Sequence, residues 1–136
     1  MKIAVCARDM DERHHISRLL DEALPIRGLV PKISLFPIPD ELLESVAKKE
    51  RVFDVVLLSG QKEDSHIQQL CRLTPVMLIG KQDLSPVAFD VGAVYFIESP
   101  VDKSKIDRAF SHYLQTRNDS ATAPRLASRI RLQYEK

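Results

Sequence analysis

Residues 55–58 read Val-Val-Leu-Leu, an unbroken apolar run that ends on Ser59 and Gly60. A strand apolar on both sides of its pleat must be covered on both faces, which makes it a central strand of a parallel sheet flanked by helices. The rest of the chain supplies its neighbours. KIAVC (2–6), KISLF (32–36), PVMLIG (75–80) and VYFIES (94–99) read as four further strands, with the central one taken as VFDVVLL (52–58). Between them the period changes to that of a helix. Ile16, Leu19, Leu20, Ala23 and Leu24 fall at i, i+3, i+4, i+7 and i+8, and Pro25 with Gly28 closes the stripe. Pro39 and Asp40 open a second helix through Leu42, Leu43, Val46 and Ala47, and Ile67, Leu70 and Leu73 mark a short third. Ser85 and Pro86 supply an N-cap and a first-turn proline for a fourth helix ending at Gly92. Asp102 caps the last, in which Ile106, Ala109 or Phe110, Tyr113 and Leu114 repeat the stripe. Five strands alternating with five helices require right-handed crossovers, so the sequence predicts an α/β, flavodoxin-like (βα)5 fold. Its doubly wound, five-stranded parallel sheet has the order 2-1-3-4-5.

At 136 residues the chain has the length of one domain and a tail. The net charge of +1 hides an asymmetry: residues 117–136 hold five of the 20 basic residues and two of the 19 acidic ones. That leaves 1–116 mildly acidic, which argues against a nucleic-acid surface on the body. Cys6 and Cys71 lie in apolar segments without metal-ligand spacing and read as core residues of a reducing compartment. The apolar stretch after Lys2 is broken by Arg8 and Asp9, too short for a signal peptide or membrane span, so a cytoplasmic protein with no membrane contact is expected. No GxGxxG follows the first strand and no GxxxxGK[ST] occurs, which sets aside dinucleotide and P-loop chemistry. His14, His15, His66 and His112 are scattered; Asp11 with His14 is the one ligand-like spacing, and no metal or cofactor is expected. No histidine stands at a strand end to activate Ser59 or Ser99, so no enzyme is read here.

The stretch SPVAFDVGAVYFIESPVDKSKIDRAFSHYL (85–114) resembles the second half of a response-regulator receiver domain, especially those preceding LytTR-type DNA-binding domains. MKIAVCARD resembles the opening of the same group, and the resemblance covers roughly residues 1–116. Active receivers carry an acidic pair after strand one, which helps hold Mg²⁺ through hard oxygen ligands. They also carry an Asp phosphoacceptor ending strand three, a Thr or Ser after strand four and a Lys after strand five, which contact the phosphoryl oxygens. The matching positions here are Ala7 and Arg8, Ser59, Gly80 and Ser99. All five depart from the pattern, and Arg8 puts a cation where Mg²⁺ would sit. The loop after strand three is short and reads QKEDSH in place of the usual turn. The resemblance therefore implies a degenerate pseudo-receiver, a regulatory module that works without Asp phosphorylation or Mg²⁺.

Two features of the family persist. Phe96 occupies the place of a switch aromatic, with plain core packing as the alternative, and Pro100 the place of a usually cis proline. Arg8 either tethers a neighbouring acid (Asp9, Asp83 or Asp54) or is a solvated loop residue. The resemblance points to the face of helix four, strand five and helix five for a protein partner or homodimer, with Lys81, Val87, Asp90, Val91, Lys105 and Arg108 as candidate members. Residues 117–136 read as a basic linker or tail. Their segment RIRLQY alternates with period two and resembles the first strand of a LytTR-type domain. Either the chain ends just inside a DNA-binding domain whose contacts lie outside it, or the segment is a basic terminus that packs on the body or another chain. A further alternative is a small ligand in the strand-end crevice near Ser59 and Ser99.

Overall fold

The computed structural model describes residues 1–49, 51–60 and 66–122, with side chains to residue 116. Five parallel strands, β1 (Lys2–Cys6), β2 (Lys32–Phe36), β3 (Val55–Ser59), β4 (Val76–Gly80) and β5 (Tyr95–Glu98), form one sheet in the order β2-β1-β3-β4-β5. The helices are α1 (Met10–Ala23), α2 (Pro39–Ala47), α3 (His66–Leu73), α4 (Ser85–Val91) and α5 (Lys103–Thr122). This is the flavodoxin-like architecture the alternation predicts.

The period of two along each strand divides the core into two layers. Ile3, Val5, Val55, Leu57, Met77 and Ile79 face the side covered by α1 and α5. Ala4, Cys6, Val56, Leu58, Val76 and Leu78 face the side where Leu42 of α2, Ile67 and Leu70 of α3 and Ala88 of α4 pack. Val55 to Leu58 are fully buried, as a central strand covered on both faces requires.

Element ends follow local hydrogen bonding. Asp9 caps α1, its carboxylate accepting from the Glu12 amide at 3.1 Å, and Asp102 accepts from the Lys105 amide at 2.8 Å. β3 begins at Val55 rather than at residue 52, because Asp54 exchanges bonds with Lys2 before the ladder starts: Lys2 N donates to Asp54 Oδ2 (2.7 Å) and Asp54 N to Lys2 O (2.8 Å). Ser85 is not the cap of α4. A 3-10 turn over Gln82–Leu84 leads straight into the helix, Leu84 takes the cap position, and Ser85 is already helical. Leu73 is 51% exposed, so the stripe of α3 stops at Leu70. α5 runs to Thr122, through the expected 116/117 boundary; the RIRLQY segment lies outside the described residues. No helix among the described residues is long and apolar enough to cross a membrane.

Candidate functional site

The sheet order reverses between β1 and β3, and in open α/β sheets the crevice beyond the strand ends at such a point is the usual binding place. A crevice of about 500 Å³ opens there. Parallel pairing sets its floor: Ala7 N donates to Phe36 O (3.2 Å), Gly60 N to Ile79 O (3.0 Å) and Ser99 N to Gly80 O (2.8 Å). These bonds align the ends of β1, β3, β4 and β5, so Arg8, Ser59, Gly80 and Ser99 line one cavity, while Ala7 is buried beneath it. The sequence positions matched to a receiver site are therefore spatial neighbours.

Ser59 does not stand alone. Its hydroxyl donates to Glu12 Oε1 at 2.9 Å, partly buried, an acceptor that comes from α1 and not from a strand end. Glu12 reaches the crevice because it lies four residues before buried Ile16, on the core-facing stripe of α1, one turn beyond the sheet. That stripe, continued backwards by one turn, was the available signal. A carboxylate is a poor base for a serine hydroxyl, and the pair is complete as a charge-assisted hydrogen bond, not poised as a nucleophile.

Cations brace the loops around this pair. Arg13 Nη1 donates to Ala7 O at 2.7 Å and to Arg8 O at 3.4 Å, fixing the β1–α1 turn. Lys105 Nζ donates to Glu98 O (2.9 Å) and Pro100 O (2.8 Å), spanning the turn that contains the cis Ser99–Pro100 peptide. His15 Nε2 lies 2.9 Å from Val101 O and links α1 to the same turn. Lys105, one of the residues named for the α4–β5–α5 face, lines the cleft on that side, and its ammonium is bonded to the backbone of its own loop.

Gly80 occupies the place of a hydroxyl residue for a steric reason. A Cβ built there would lie 2.5 Å from Leu84 Cδ2 and 3.0 Å from Gly60 O. The buried Leu84 side chain, carried on the 3-10 turn, fills that corner of the crevice with an apolar group. The mouth carries charges of both signs: Arg8 and Lys81 with Asp9, Glu12 and Asp83. Lys81, named with the α4–β5–α5 face, lines the crevice. Among Arg8's suggested partners, Asp54 is excluded, since it sits at the opposite end of β3 bonded to Lys2. Among the described residues no group of three or more His, Cys, Asp and Glu side chains is arranged to hold a metal ion.

On the α4–β5–α5 side, Val87 and Val91 are half-buried, and Asp90 and Arg108 are exposed. Phe96 is half-buried and lines a shallow cleft of about 200 Å³ with Tyr95, Glu98, Lys105 and Arg108. Sequence reasoning missed the most exposed large apolar residue of this side, Phe89, at 88%. Far from the crevice, burial pushes the Cys71 thiol up to about 11.

No protein family matches the chain, and no curated protein matches it. Solved structures do. The response regulator receiver domain protein of Clostridium thermocellum superposes with a TM-score of 0.66 at 18% identity, covering 86% of this chain and 96% of that one. The response regulatory domain of mrkE from Klebsiella pneumoniae gives 0.70 at 15% identity, over 88% and 99%. A chain named for pilus assembly, cpaE of Burkholderia thailandensis, gives 0.67 at 18% identity, over 85% and 98%. With the strand order and crossovers described above, these likenesses establish the architecture: this chain has the fold of a response-regulator receiver domain.

Proposed function

We propose that the chain is a pseudo-receiver: a regulatory, protein-binding module of a cytoplasmic two-component-type signalling or transcription regulator that works without aspartyl phosphorylation. The observation that carries this reading is the Ser59–Glu12 pair at the end of β3, where a phosphoacceptor carboxylate would stand. Three neighbouring features support it. Arg8 opposes a divalent cation, Leu84 fills the corner beside Gly80, and Ser99 brings no ammonium to neutralise phosphoryl oxygens. Metal-dependent phosphoryl transfer needs an acceptor in line and charge neutralisation at the receiver positions together, and here residue 59 offers no carboxylate and residue 99 no ammonium.

The partner surface in this reading is the α4–β5–α5 face, with Phe89 beside Val87, Asp90, Val91 and Arg108, used for a protein partner or a homodimer. DNA contacts, where the parent protein makes them, belong to a LytTR-type domain outside this chain. The test is a two-dimensional amide NMR spectrum with Mg²⁺ and beryllofluoride. No shifts should localise around Ser59, and Arg108→Glu should weaken self-association. Saturable shifts at the ends of β1, β3 and β5 on adding both reagents would reject the proposal.

A second reading takes support from the crevice itself, whose volume and mixed charge suit a small polar ligand. A thermal-shift screen of cytosolic metabolites separates the two, since a hit abolished by Ser59→Ala or Glu12→Ala favours the ligand.

A further inference from the structure

Neighbouring residues in the first turns of α1 hold three separate parts of the crevice end of the sheet. Glu12 accepts from the Ser59 hydroxyl at the end of β3 (2.9 Å), and Arg13 Nη1 donates to Ala7 O after β1 (2.7 Å). His15 Nε2 lies 2.9 Å from Val101 O, in the turn between β5 and α5 and 86 residues away along the chain. A carbonyl oxygen can only accept, so this contact puts an imidazole proton on Nε2. Ile16, fully buried, anchors the same stretch of helix in the core.

Glu12 and His15 are three residues apart and so share one face of the helix, about 4.5 Å from each other along its axis. Both are half-buried. Arg13 seats the start of the helix against the β1–α1 turn, so a change at Glu12 is passed along the helix instead of being absorbed in the loop. Val101 is 6% exposed and packed in the layer of α1 and α5, and the next residue, Asp102, caps α5. On the β4 side the crevice ends in Gly80 and the apolar Leu84, which have no side-chain hydrogen bond to give.

We propose that the first turn of α1 couples the crevice to α5: making or breaking the Ser59–Glu12 bond shifts the His15–Val101 bond, and with it the start of α5. Each of these bonds is either made or broken, which gives the link two discrete arrangements between which a ligand or partner can select. α5 runs for 20 residues from Lys103 to Thr122, about 30 Å, and carries Arg108 of the α4–β5–α5 face. A small tilt at its start is therefore felt on that face. This regulatory role rests on the pseudo-receiver reading, but the coupling is measured in the chain alone, so a phosphorylated crevice and an uncoupled α1 are separate results.

The test is native-state amide exchange, with NMR of the imidazole nitrogens, on the full chain and its variants. Ser59→Ala should speed exchange about threefold at the amides of Lys105 and Ile106, which Asp102 holds, and should shift the His15 Nε2 resonance. Glu12→Gln keeps an oxygen that accepts from Ser59, so its effect on the same amides should be less than about half as large. His15→Ala should speed them about fivefold, and adding Ser59→Ala to it should change them by less than about 1.5-fold. His15→Gln keeps a donor, so Ser59→Ala should still be felt in that background. Exchange at Lys105 and Ile106 untouched by Ser59→Ala overturns the proposal. So does a rise of the same size with and without His15, or one shared equally by the amides of Leu57 and Leu78, which marks a general loosening of the sheet.

Discussion

Replacing Ser59 with Asp would place in this crevice the residue type that active receivers carry, and it should damage the protein rather than activate it. In the wild type the Ser59 hydroxyl donates to Glu12 Oε1 at 2.9 Å. A carboxylate at residue 59 loses that bond and puts a second negative charge beside Glu12. Two unit charges about 4 Å apart at an effective dielectric near 20 repel by about 4 kcal/mol. The crevice is open and the pair only partly buried, so screening cuts this to roughly 1–2 kcal/mol, and the lost hydrogen bond adds about 1 kcal/mol. Ser59→Asp should therefore lower the free energy of unfolding by about 2–3 kcal/mol in urea melts at pH 7 and low salt. Adding Glu12→Gln should recover about half of the loss, because a neutral amide can donate to the new carboxylate. A Ser59→Asp protein as stable as wild type, or one that Glu12→Gln does not rescue, would show that the pair does not govern this site.

Gly80→Ala should cost about 1–3 kcal/mol, because its Cβ meets a buried Leu84 methyl and the Gly60 carbonyl; in a Leu84→Ala background the penalty should fall by at least half, a coupling that urea melts of the four proteins measure. Phe89→Ser should change stability by less than about 0.5 kcal/mol, since the ring is 88% exposed, yet weaken self-association in sedimentation velocity; an unaltered association constant argues against the α4–β5–α5 face. Lys105→Met removes two hydrogen bonds to the turn at Pro100 and should lower stability by about 1 kcal/mol, with amide exchange accelerated at residues 98–101. Cys71, with its thiol raised from 9.0 to about 11, ionises more readily unfolded than folded. Its contribution to stability is full below pH 9 and is lost as pH rises through about 11, a decline that Cys71→Ala should lessen.

The fold was legible because its signals are redundant. Val55–Leu58 could be satisfied only by burial on both faces, and the stripe from Ile16 to Leu24 only by a helix on that sheet. Strand ends followed from counting along each apolar run, so Arg8, Ser59, Gly80 and Ser99 met in one crevice as expected. What escaped were side chains that reach across elements. Glu12 reads as an exposed first-turn acid until its phase against Ile16 is followed to the strand ends. Lys105 reads as a surface cation because its acceptors are backbone carbonyls, which carry no residue-type signal. The 3-10 turn at Gln82–Leu84 escaped because Ser85 and Pro86 are as good a helix start as Leu84 is a poor one. The crowding that demands glycine at position 80 depends on that turn and could not be read before it.

A pseudo-receiver's crevice accepts no phosphoryl group. Intact-mass spectrometry of the whole chain, incubated with acetyl phosphate and Mg²⁺ beside an active receiver as positive control, measures this directly. An unchanged mass is the predicted result; a hydroxylamine-labile gain of one phosphoryl group, mapped to any residue lining the crevice, would contradict it.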